Sequence, residues 1–261
     1  MRIITVNVNG IRAAARKGFF AWLAKQNADV FCIQETKAQL PQLDDPMFHP
    51  SDYHCFYHDA EKKGYSGVAI YCRQAPDEVI IGMGNDEFDA EGRYIEVRLG
   101  RLSVVSLYLP SGSSSEQRQQ AKYRCMAFFE NKMQEMANSG RDYILCGDWN
   151  IAHKNQDIRN WRGNQKNSGF LPDERAWLDK LFDEMHFVDA FRELPQAEHE
   201  YTWWSNRGQA WANNVGWRID YHILSPSLKG KVQATDIYRE QRFSDHAPLT
   251  VDYDISPATL S

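Results

Sequence analysis

Side chains that can ligate a metal ion or bind a phosphate group stand next to several strand-like apolar runs in this sequence. Glu35 and Asp148 each follow such a run, and His246 precedes another. Strand ends are common positions for functional side chains, because the sheet fixes the backbone while the adjoining loop exposes the group. The residues with this placement are Asn7, Asn9, Glu35, Tyr108, Asp148, Asn150, Asp220, Asp245 and His246.

The donor types in this set favour a hard divalent cation. Carboxylate and amide oxygens are ligands that Mg²⁺ and Mn²⁺ prefer, and no pair of His or Cys residues lies nearby at zinc spacing. A carboxylate beside His246 would fix its tautomer or keep it charged. Such a metal ion, histidine and amide set suits the attack of water on a phosphodiester. A Ser-His-Asp hydrolase is disfavoured, because the sequence has no Gly-x-Ser-x-Gly motif.

Each of these short motifs also has a purely structural interpretation. The Asn-x-Asn-Gly sequence at 7–10 and the Gly-Asp-x-Asn sequence at 147–150 are typical of turns, since Asn and Gly tolerate a positive φ. The adjacent Asp245 and His246 could form only a cap. It is the repetition of such motifs at strand ends that favours a functional site.

Strand-like and helix-like segments are mixed along the whole chain, and no linker separates them. Short apolar runs bounded by polar residues or Gly predict strands, and apolar residues at helical spacing predict helices. We therefore expect a single domain, with loops at 39–51, 83–93, 152–169 and 206–215. The expected strands lie at 1–7, 30–33, 67–71, 102–109, 143–146, 219–224 and 249–253, and the expected helices lie at 19–26, after a Ser113-x-x-Glu116 capping box, and from Pro172 onward.

Composition and charge are those of an ordinary globular protein. The chain has 261 residues, 43% of them hydrophobic and 25% charged, with a net charge of -5. It has no apolar run of about 18 residues and no signal-peptide pattern, so we expect a cytoplasmic protein without a membrane span. Five cysteines without Cys-x-x-Cys spacing predict neither a disulfide framework nor a zinc site. The acidic balance argues against nucleic-acid binding over the whole surface but permits a local basic face.

Longer stretches around the candidate residues resemble one known family. They include Asn7-Val8-Asn9-Gly10, Gln34-Glu35-Thr36-Lys37, Leu145-Cys146-Gly147-Asp148-Trp149-Asn150 and Ser244-Asp245-His246-Ala247-Pro248-Leu249, extended by Ser168-Gly169-Phe170, Glu174-Arg175-Ala176-Trp177, Tyr201-Thr202-Trp203-Trp204 and Gly216-Trp217-Arg218-Ile219-Asp220-Tyr221. In type and order these resemble the motifs of the exonuclease III family of abasic-site endonucleases. The resemblance implies one domain over 1–254 and a C-terminal tail at 255–261.

The resemblance implies a fold and an activity. The expected fold is a four-layer α/β sandwich, with two β-sheets packed face to face and helices on both outer sides. The expected activity is Mg²⁺-dependent hydrolysis of DNA 5′ to abasic sites, with Mn²⁺ as a substitute for Mg²⁺. A 3′→5′ exonuclease and a 3′-phosphodiesterase or 3′-phosphatase activity would accompany it. The implied partner is duplex DNA with abasic sites or blocked 3′ ends, bound by a monomer.

The resemblance also implies the roles of the metal-site residues. Glu35 is the principal metal ligand, with Asn9 and Asp245 at or near the metal. Asp148 positions or activates the attacking water, and both Asp148 and Asn150 belong to the metal surroundings. Asn9 stands where some members of the family have Asp, which would weaken direct metal binding at that position.

Further roles concern the phosphate and the abasic sugar. By the resemblance, Asn7, Asn150 and His246 contact the phosphate, Asp220 pairs with His246, and Tyr108 lies beside the scissile phosphate. The pocket that receives the flipped-out sugar would have apolar walls, which suit a sugar without its base. These walls are Trp203, Trp217 and Ile219, and the basic residues expected to contact DNA phosphates are Lys37, Arg162 and Lys166.

Two other functions are considered alongside the nuclease. The chain also resembles the catabolite-repression control protein, a non-catalytic regulator on the same fold that acts in RNA-based translational repression. That lineage has lost the catalytic carboxylates, whereas this chain has Glu35, Asp148 and Asp245. A phosphatase of the wider superfamily is the third alternative, and the tryptophans at 203–204 and 217 favour DNA over its substrates.

Overall fold

Two six-stranded β-sheets form the centre of the fold in the computed structural model, which describes residues 1–256. In the first sheet the two central strands are the first two strands of the chain, and they run parallel to each other. All other neighbouring strands of this sheet are antiparallel. In order across the sheet its strands are β13 (Val232–Ile237), β14 (Leu249–Tyr253), β1 (Arg2–Asn7), β2 (Val30–Gln34), β4 (Val68–Cys72) and β3 (His54–His58).

The second sheet repeats this plan with a parallel pair at its centre. Its other neighbouring strands are antiparallel. A separate two-stranded ribbon pairs β10 (Trp203–Trp204) with β11 (Gly216–Trp217). In order across the second sheet the strands are β5 (Glu78–Ile81), β6 (Tyr94–Leu99), β7 (Leu102–Tyr108), β8 (Asp142–Asp148), β12 (Asp220–Leu224) and β9 (Val188–Asp189).

The two sheets pack face to face through alternate residues of their strands. Cys32 of β2 and Val104 of β7 are fully buried in the layer between the sheets. Their neighbours Phe31 and Val105 point the other way, because successive side chains in a strand lie on opposite faces, and they are buried beneath the helices. Both faces of the central strands are therefore apolar, as the continuous apolar runs in the sequence predict.

Helices cover the outer face of each sheet. This order of helix, sheet, sheet and helix confirms the predicted four-layer α/β sandwich. The helices are α1 (Ile11–Arg16) and α2 (Phe19–Leu23) on the first sheet, α4 (Glu116–Asn138) and α6 (Pro172–Asp179) on the second, and the single turns α3 (Asp86–Asp89) and α5 (Trp161–Asn164) in connecting segments that were predicted as loops.

The long helix α4 has a different N-cap from the predicted one. Ser115 caps it, since its side chain accepts a hydrogen bond from the N–H of Arg118 at 3.2 Å. The hydroxyl of Ser113 lies 2.9 Å from that of Ser111 instead. The predicted capping box of Ser113 and Glu116 is therefore wrong. A run of consecutive serines offers caps of equal chemistry, so the sequence alone does not decide among them.

Several strands escaped prediction because they are partly exposed or carry charges. The edge strands β3 and β5 each have intermediate or exposed residues, which weakens their apolar pattern. In β6, Glu96 and Arg98 share one face and pair at 3.1 Å, so the strand does not read as an apolar run. The predicted helix at 19–26 is also shorter than expected, ending at Leu23.

The N-terminus is hydrogen-bonded to the segment that ends strand β14. The Met1 ammonium donates hydrogen bonds to the carbonyls of Tyr253 at 2.9 Å and Ile255 at 2.8 Å. Residues 257–261, most of the predicted tail, lie outside the described part of the chain. All five cysteines are free thiols and four of them are buried. Within residues 1–256, no helix is both long and apolar enough to cross a bilayer.

The outer helix layer should contribute strongly to stability through Phe129. Its fully buried ring contacts those of Tyr94 and Trp149, with centroids at 6.3 and 5.8 Å. We expect Phe129→Ala to lower the free energy of unfolding by about 3–5 kcal/mol in urea denaturation. The adjacent Phe128 is partly exposed, so Phe128→Ala should cost only about 1 kcal/mol. Equal losses for both variants would contradict this packing.

Candidate active site

The candidate residues converge at the edge where strands of both sheets end. β1 and β2 are parallel and end together, which places Asn7 next to Glu35. β7 and β8 are also parallel, with Tyr108 opposite Asp148. Asp220 begins β12 and is the antiparallel partner of Asp148. The strand register therefore brings carboxylates from both sheets to one place.

A buried amide links the carboxylates of the two sheets. Asn7 has no exposed surface, and its Nδ2 donates to Glu35 Oε1 at 2.8 Å and to Asp148 Oδ2 at 2.9 Å. Its Oδ1 accepts a hydrogen bond from the N–H of Asn9 at 2.9 Å, which fixes the orientation of the amide. The separation of the two carboxylates is thus set by one side chain.

His246 forms a buried ion pair with Asp220. Its Nδ1 lies 2.8 Å from Asp220 Oδ2, and its Nε2 lies 3.7 Å from Asp148 Oδ2. Burial alone would lower the pKa of His246, but the negative charges of Asp220 and Asp148 outweigh it and raise the pKa to about 10. The ring is therefore cationic at neutral pH, with both nitrogens as donors.

Asp148 binds its proton more tightly than an ordinary aspartate. Burial and the nearby charges of Asp220 and Glu35 raise its pKa to about 8, against the opposing effects of His246 and the N–H of Asn150. The negative charge gathered here exceeds what the protein's own donors neutralise. A further cation in this position would lower the cost of ionising Asp148.

The donor set fits a hard divalent cation. Within residues 1–256, Glu35, Asp148 and His246 each offer one ligand atom, all within 4.8 Å of one another. A protonated imidazole cannot ligate a metal, so carboxylate oxygens of Glu35 and Asp148 would hold the ion. Such oxygen ligands suit Mg²⁺ or Mn²⁺. The side chain of Glu35 is 15% exposed, so the position opens to the cleft.

Asn9 and Asp245 surround this position but are engaged by other groups of the protein. Asn9 Nδ2 donates to Asp245 Oδ1 at 3.0 Å, and the ammonium of Lys37 lies 2.5 Å from Asn9 Oδ1 and 3.1 Å from Glu35 Oε2. Asp245 Oδ2 accepts a hydrogen bond from the indole of Trp203 at 3.0 Å. Asn9 and Asp245 therefore line the cleft together with Glu35.

Tyr108 and Asn150 complete the floor of the site. Burial and the charge of Glu35 raise the pKa of Tyr108 well above its usual value, so its hydroxyl stays protonated. The guanidinium of Arg93 lies 4.7 Å from the centre of the Tyr108 ring. Asn150 donates its N–H to Asp148 Oδ1 at 2.9 Å and its Nδ2 to the carbonyl of Leu109 at 2.8 Å.

A cleft of about 1580 Å³ opens above these residues. Trp203 and Trp217 line it with ring centroids 5.9 Å apart and planes at 86°, and Ile219 lies between them and the core with 5% exposure. Asn7 and Asp220 are fully buried and lie beneath the floor, outside the lining. The aromatic walls that the sequence predicts are therefore adjacent to the carboxylates.

The three predicted DNA-contacting cations are not all at the cleft. Lys37 and Lys166 line it. Arg162 does not, and its guanidinium stacks over the ring of Trp161 at 4.5 Å. A basic residue in a loop gives no sequence signal for the direction of its side chain, so this difference was not foreseeable.

Two hydroxyl groups that position the site were missed. Ser244 Oγ donates to the carbonyl of Asn7 at 2.5 Å and accepts from the N–H of His246 at 3.0 Å. Thr202 Oγ1 accepts from the N–H groups of Ile219 and Asp220, both at 3.1 Å. Both residues adjoin recognised motifs, but their partners are far away in sequence. Polar residues of the cleft that were also missed are Ser113, Ser115, Gln119, Asn164, Asn167 and Arg207.

Comparison with known sequences places the chain in one family. The model of the endonuclease/exonuclease/phosphatase family matches residues 4–246. An exodeoxyribonuclease of Bacillus subtilis is 38% identical, with 98% of this chain and 100% of that protein covered. The DNA repair nuclease APEX1 of Danio rerio is 36% identical, with 96% of this chain and 81% of that protein covered.

Solved structures give the same result. An AP endonuclease from Archaeoglobus fulgidus has a TM-score of 0.88 and 27% identity, covering 98% of this chain and 100% of that chain. A 3′ phosphatase from Neisseria bound to a product DNA hairpin has a TM-score of 0.87 and 25% identity at the same coverage. The chain belongs to the endonuclease/exonuclease/phosphatase family and, within it, to the exonuclease III group of AP endonucleases. The predictions of family and of a hydrolytic nuclease are confirmed.

The charge of His246 can be tested by NMR on the metal-free protein. We expect the imidazole to stay protonated through neutral pH and to titrate near pH 10. Asp220→Asn keeps an acceptor but removes a charge, so it should lower the pKa of His246 by about one unit or more. His222 is the internal control, because burial lowers its pKa to about 3 and keeps it neutral in the same spectra. A His246 ring that titrates near pH 6.5 would disprove the ion pair.

Proposed function

We propose that this protein is a Mg²⁺-dependent apurinic/apyrimidinic endonuclease that hydrolyses the DNA backbone on the 5′ side of an abasic site, with Mn²⁺ able to replace Mg²⁺. One observation carries the proposal: two carboxylates bridged by a buried amide lie beside a histidinium, at the floor of a cleft with indole walls. The relatives named DNA repair nuclease and AP endonuclease support the same substrate.

Three donors of this chain would bind the scissile phosphate. The cationic ring of His246 stabilises the charge that develops on the phosphoryl oxygens during attack. The protonated hydroxyl of Tyr108 and the side chain of Asn150 add hydrogen bonds at the same floor. Glu35, together with Asp148, would hold a divalent ion, which would supply further neutralisation of that charge.

Asp148 is suited to orient the attacking water. Its two oxygens accept hydrogen bonds from Asn7 Nδ2 and from the N–H of Asn150, so the carboxylate has one fixed orientation. The nearby cation of His246, and a divalent ion when one is bound, would keep this carboxylate ionised, so that it can accept a proton from water. The water attacks phosphorus and its proton goes to Asp148, while the bond from phosphorus to the 3′-oxygen breaks and the leaving oxygen takes up a proton from solvent. The products are a 3′-hydroxyl and a 5′-phosphate on the abasic sugar.

Selectivity for an abasic site follows from the walls of the cleft. Trp203, Trp217 and Ile219 present apolar surface next to the carboxylates. A sugar without its base exposes an apolar face that can pack there after it rotates out of the duplex, and an absent base also lowers the cost of that rotation. Lys37, Lys166 and Arg162 would bind flanking phosphates in a salt-dependent manner.

The same site would also act on blocked 3′ ends of DNA. Its activities there would be those of a 3′→5′ exonuclease, 3′-phosphodiesterase or 3′-phosphatase, and the Neisseria relative is named a 3′ phosphatase. We also propose that the protein acts as a monomer. We propose a cytoplasmic location as well; relatives named exodeoxyribonuclease and exodeoxyribonuclease III come from bacteria.

A non-catalytic RNA regulator on this fold is the weaker candidate. Such a protein would not need buried carboxylates held in register. Here Glu35 and Asp148 are joined by one amide, and Asp245 is held by two donors. The presence of this arrangement of buried charges favours an enzyme over a non-catalytic regulator.

Metal binding should depend on Glu35 more than on Asp245. We expect Glu35→Gln to weaken Mn²⁺ binding about 100-fold in an EPR titration, because a direct carboxylate ligand is lost. Asp245→Asn should have a smaller effect of about tenfold, since Glu35 belongs to the group of residues whose ligand atoms lie within 4.8 Å of one another and Asp245 does not. If Asp245→Asn weakens binding as much as Glu35→Gln, Asp245 is a direct ligand instead.

Incision should require Asp148, while binding should not. In Mg²⁺ the parent protein is expected to cut duplex DNA at a single abasic site, and Asp148→Asn should reduce the rate by at least about 10³-fold. Affinity for the same duplex in EDTA should be unchanged, because without metal the raised pKa of about 8 keeps Asp148 largely protonated at neutral pH and Asn replaces a neutral side chain of the same shape. Parent and variant that are equally inert on abasic and 3′-blocked substrates would disprove the nuclease function.

A further inference from the structure

A fully buried ion pair lies behind the candidate active site. Lys122 of α4 and Glu174 of α6 are 2.7 Å apart, and neither side chain has any exposed surface. Removing two charges from water is costly, and apolar residues of similar volume are often as stabilising as such a pair. Stability alone is therefore a poor reason for its presence, and the groups that the pair contacts indicate another.

Lys122 connects the pair to the active site. Its Nζ donates a hydrogen bond to the main-chain carbonyl of Asn150 at 2.8 Å. Asn150 has φ of 52°, a left-handed conformation that is uncommon for residues other than Gly. A charged donor on the carbonyl stabilises this conformation, because it fixes the peptide plane that follows Asn150.

The conformation of Asn150 in turn fixes Asp148. The N–H of Asn150 donates to Asp148 Oδ1 at 2.9 Å, while Nδ2 of Asn150 donates to the carbonyl of Leu109. If Asn150 relaxed to an ordinary φ, its N–H would turn away from the carboxylate. One oxygen of Asp148 would then lose the donor that orients it.

Glu174 ties the same pair to the wall of the cleft. Its Oε2 accepts hydrogen bonds from the N–H groups of Gly169 at 2.7 Å and Leu171 at 3.1 Å. Gly169 packs so closely that an added Cβ would lie 3.0 Å from the ring of Trp217 and 3.1 Å from the carbonyl of Asn150. The pair therefore joins the catalytic floor to the aromatic wall.

We propose that Lys122 and Glu174 are positioning residues for the nuclease reaction, which hold Asn150 in its left-handed conformation and thereby orient the carboxylate of Asp148. Neither residue lines the cleft, so Lys122 acts through Asn150 and Glu174 acts through Lys122. This inference rests on the proposed function.

The test is a double variant, Lys122→Met with Glu174→Gln. It removes both charges together, so no unpaired charge stays buried, and the amide oxygen introduced by Glu174→Gln can still accept from the Gly169 and Leu171 N–H groups. Apart from the ion pair itself, the variant removes the donor to the Asn150 carbonyl. Gln119 donates to Glu174 Oε1 at 3.0 Å, and its own Oε1 lacks a partner within residues 1–256, so its amide can turn to accept from the amide nitrogen that Glu174→Gln introduces. We expect kcat on abasic duplex to fall about 10- to 100-fold, with KM and the Kd for DNA in EDTA changed by less than about threefold.

Hydrogen exchange supplies a readout that does not depend on activity. In the apo protein the amide of Asn150 should exchange at least about tenfold faster in the double variant, while amides within β8 such as that of Ile144 should be unchanged. If wild-type protein cleaves no substrate, the proposed function fails, and this exchange measurement still decides the role of the pair.

The matched control removes another ion pair of α4. Glu130→Gln with Lys180→Met breaks a partly exposed contact of 2.5 Å between α4 and the turn after α6, with no contact to Asn150. Its kcat and exchange at Asn150 should match wild type. If the variant with Lys122→Met fails to fold, Lys122→Leu with Glu174→Gln also lacks a donor to the Asn150 carbonyl and carries the same expectation. Unchanged kcat, a parallel loss of DNA affinity, or unchanged exchange at Asn150 would each overturn the proposal.

Discussion

The burial of several carboxylates at one edge of the two sheets is the constraint on which the rest of the site depends. Glu35, Asp148 and Asp220 meet where water is largely excluded, and like charges repel strongly there. The amide of Asn7 and the cation of His246 offset part of this repulsion. The raised pKa of Asp148, about 8, shows that the compensation is incomplete. This imbalance is unfavourable for the isolated protein but favours a divalent cation.

The sandwich is what makes this concentration of charge possible. Each sheet contributes a central parallel pair, and the ends of β1, β2, β7 and β8 meet at the same edge. A single sheet would supply only half of the ligands. Because both faces of these strands are packed, the side chains at their ends have little freedom, and the donors are oriented before substrate binds. Lys122 of helix α4 connects this rigid arrangement to the outer helix layer, because its buried ammonium donates to the carbonyl of Asn150.

The sequence predicted most of the floor of the site but little of its support. Glu35 and Asp148 follow apolar runs, and this pattern can be recognised in the sequence without knowledge of the fold. Lys122 and Glu174 look like surface residues of amphipathic helices, because only the tertiary structure shows that their positions are buried. Hydrogen-bond partners distant in sequence, such as Ser244 with the Asn7 carbonyl, carry no local pattern either.

The central claim is that the buried carboxylates perform metal-dependent hydrolysis of the bond 5′ to an abasic sugar. The most direct measurement is mass spectrometry of the product ends, after wild-type protein acts on a duplex with one abasic site, in Mg²⁺ and in EDTA. The expected products are a 3′-hydroxyl on one fragment and a 5′-phosphate on the abasic sugar, formed only with the metal. Cleavage that persists in EDTA, cleavage on the 3′ side of the sugar, or no cleavage in Mg²⁺ or Mn²⁺ would contradict it.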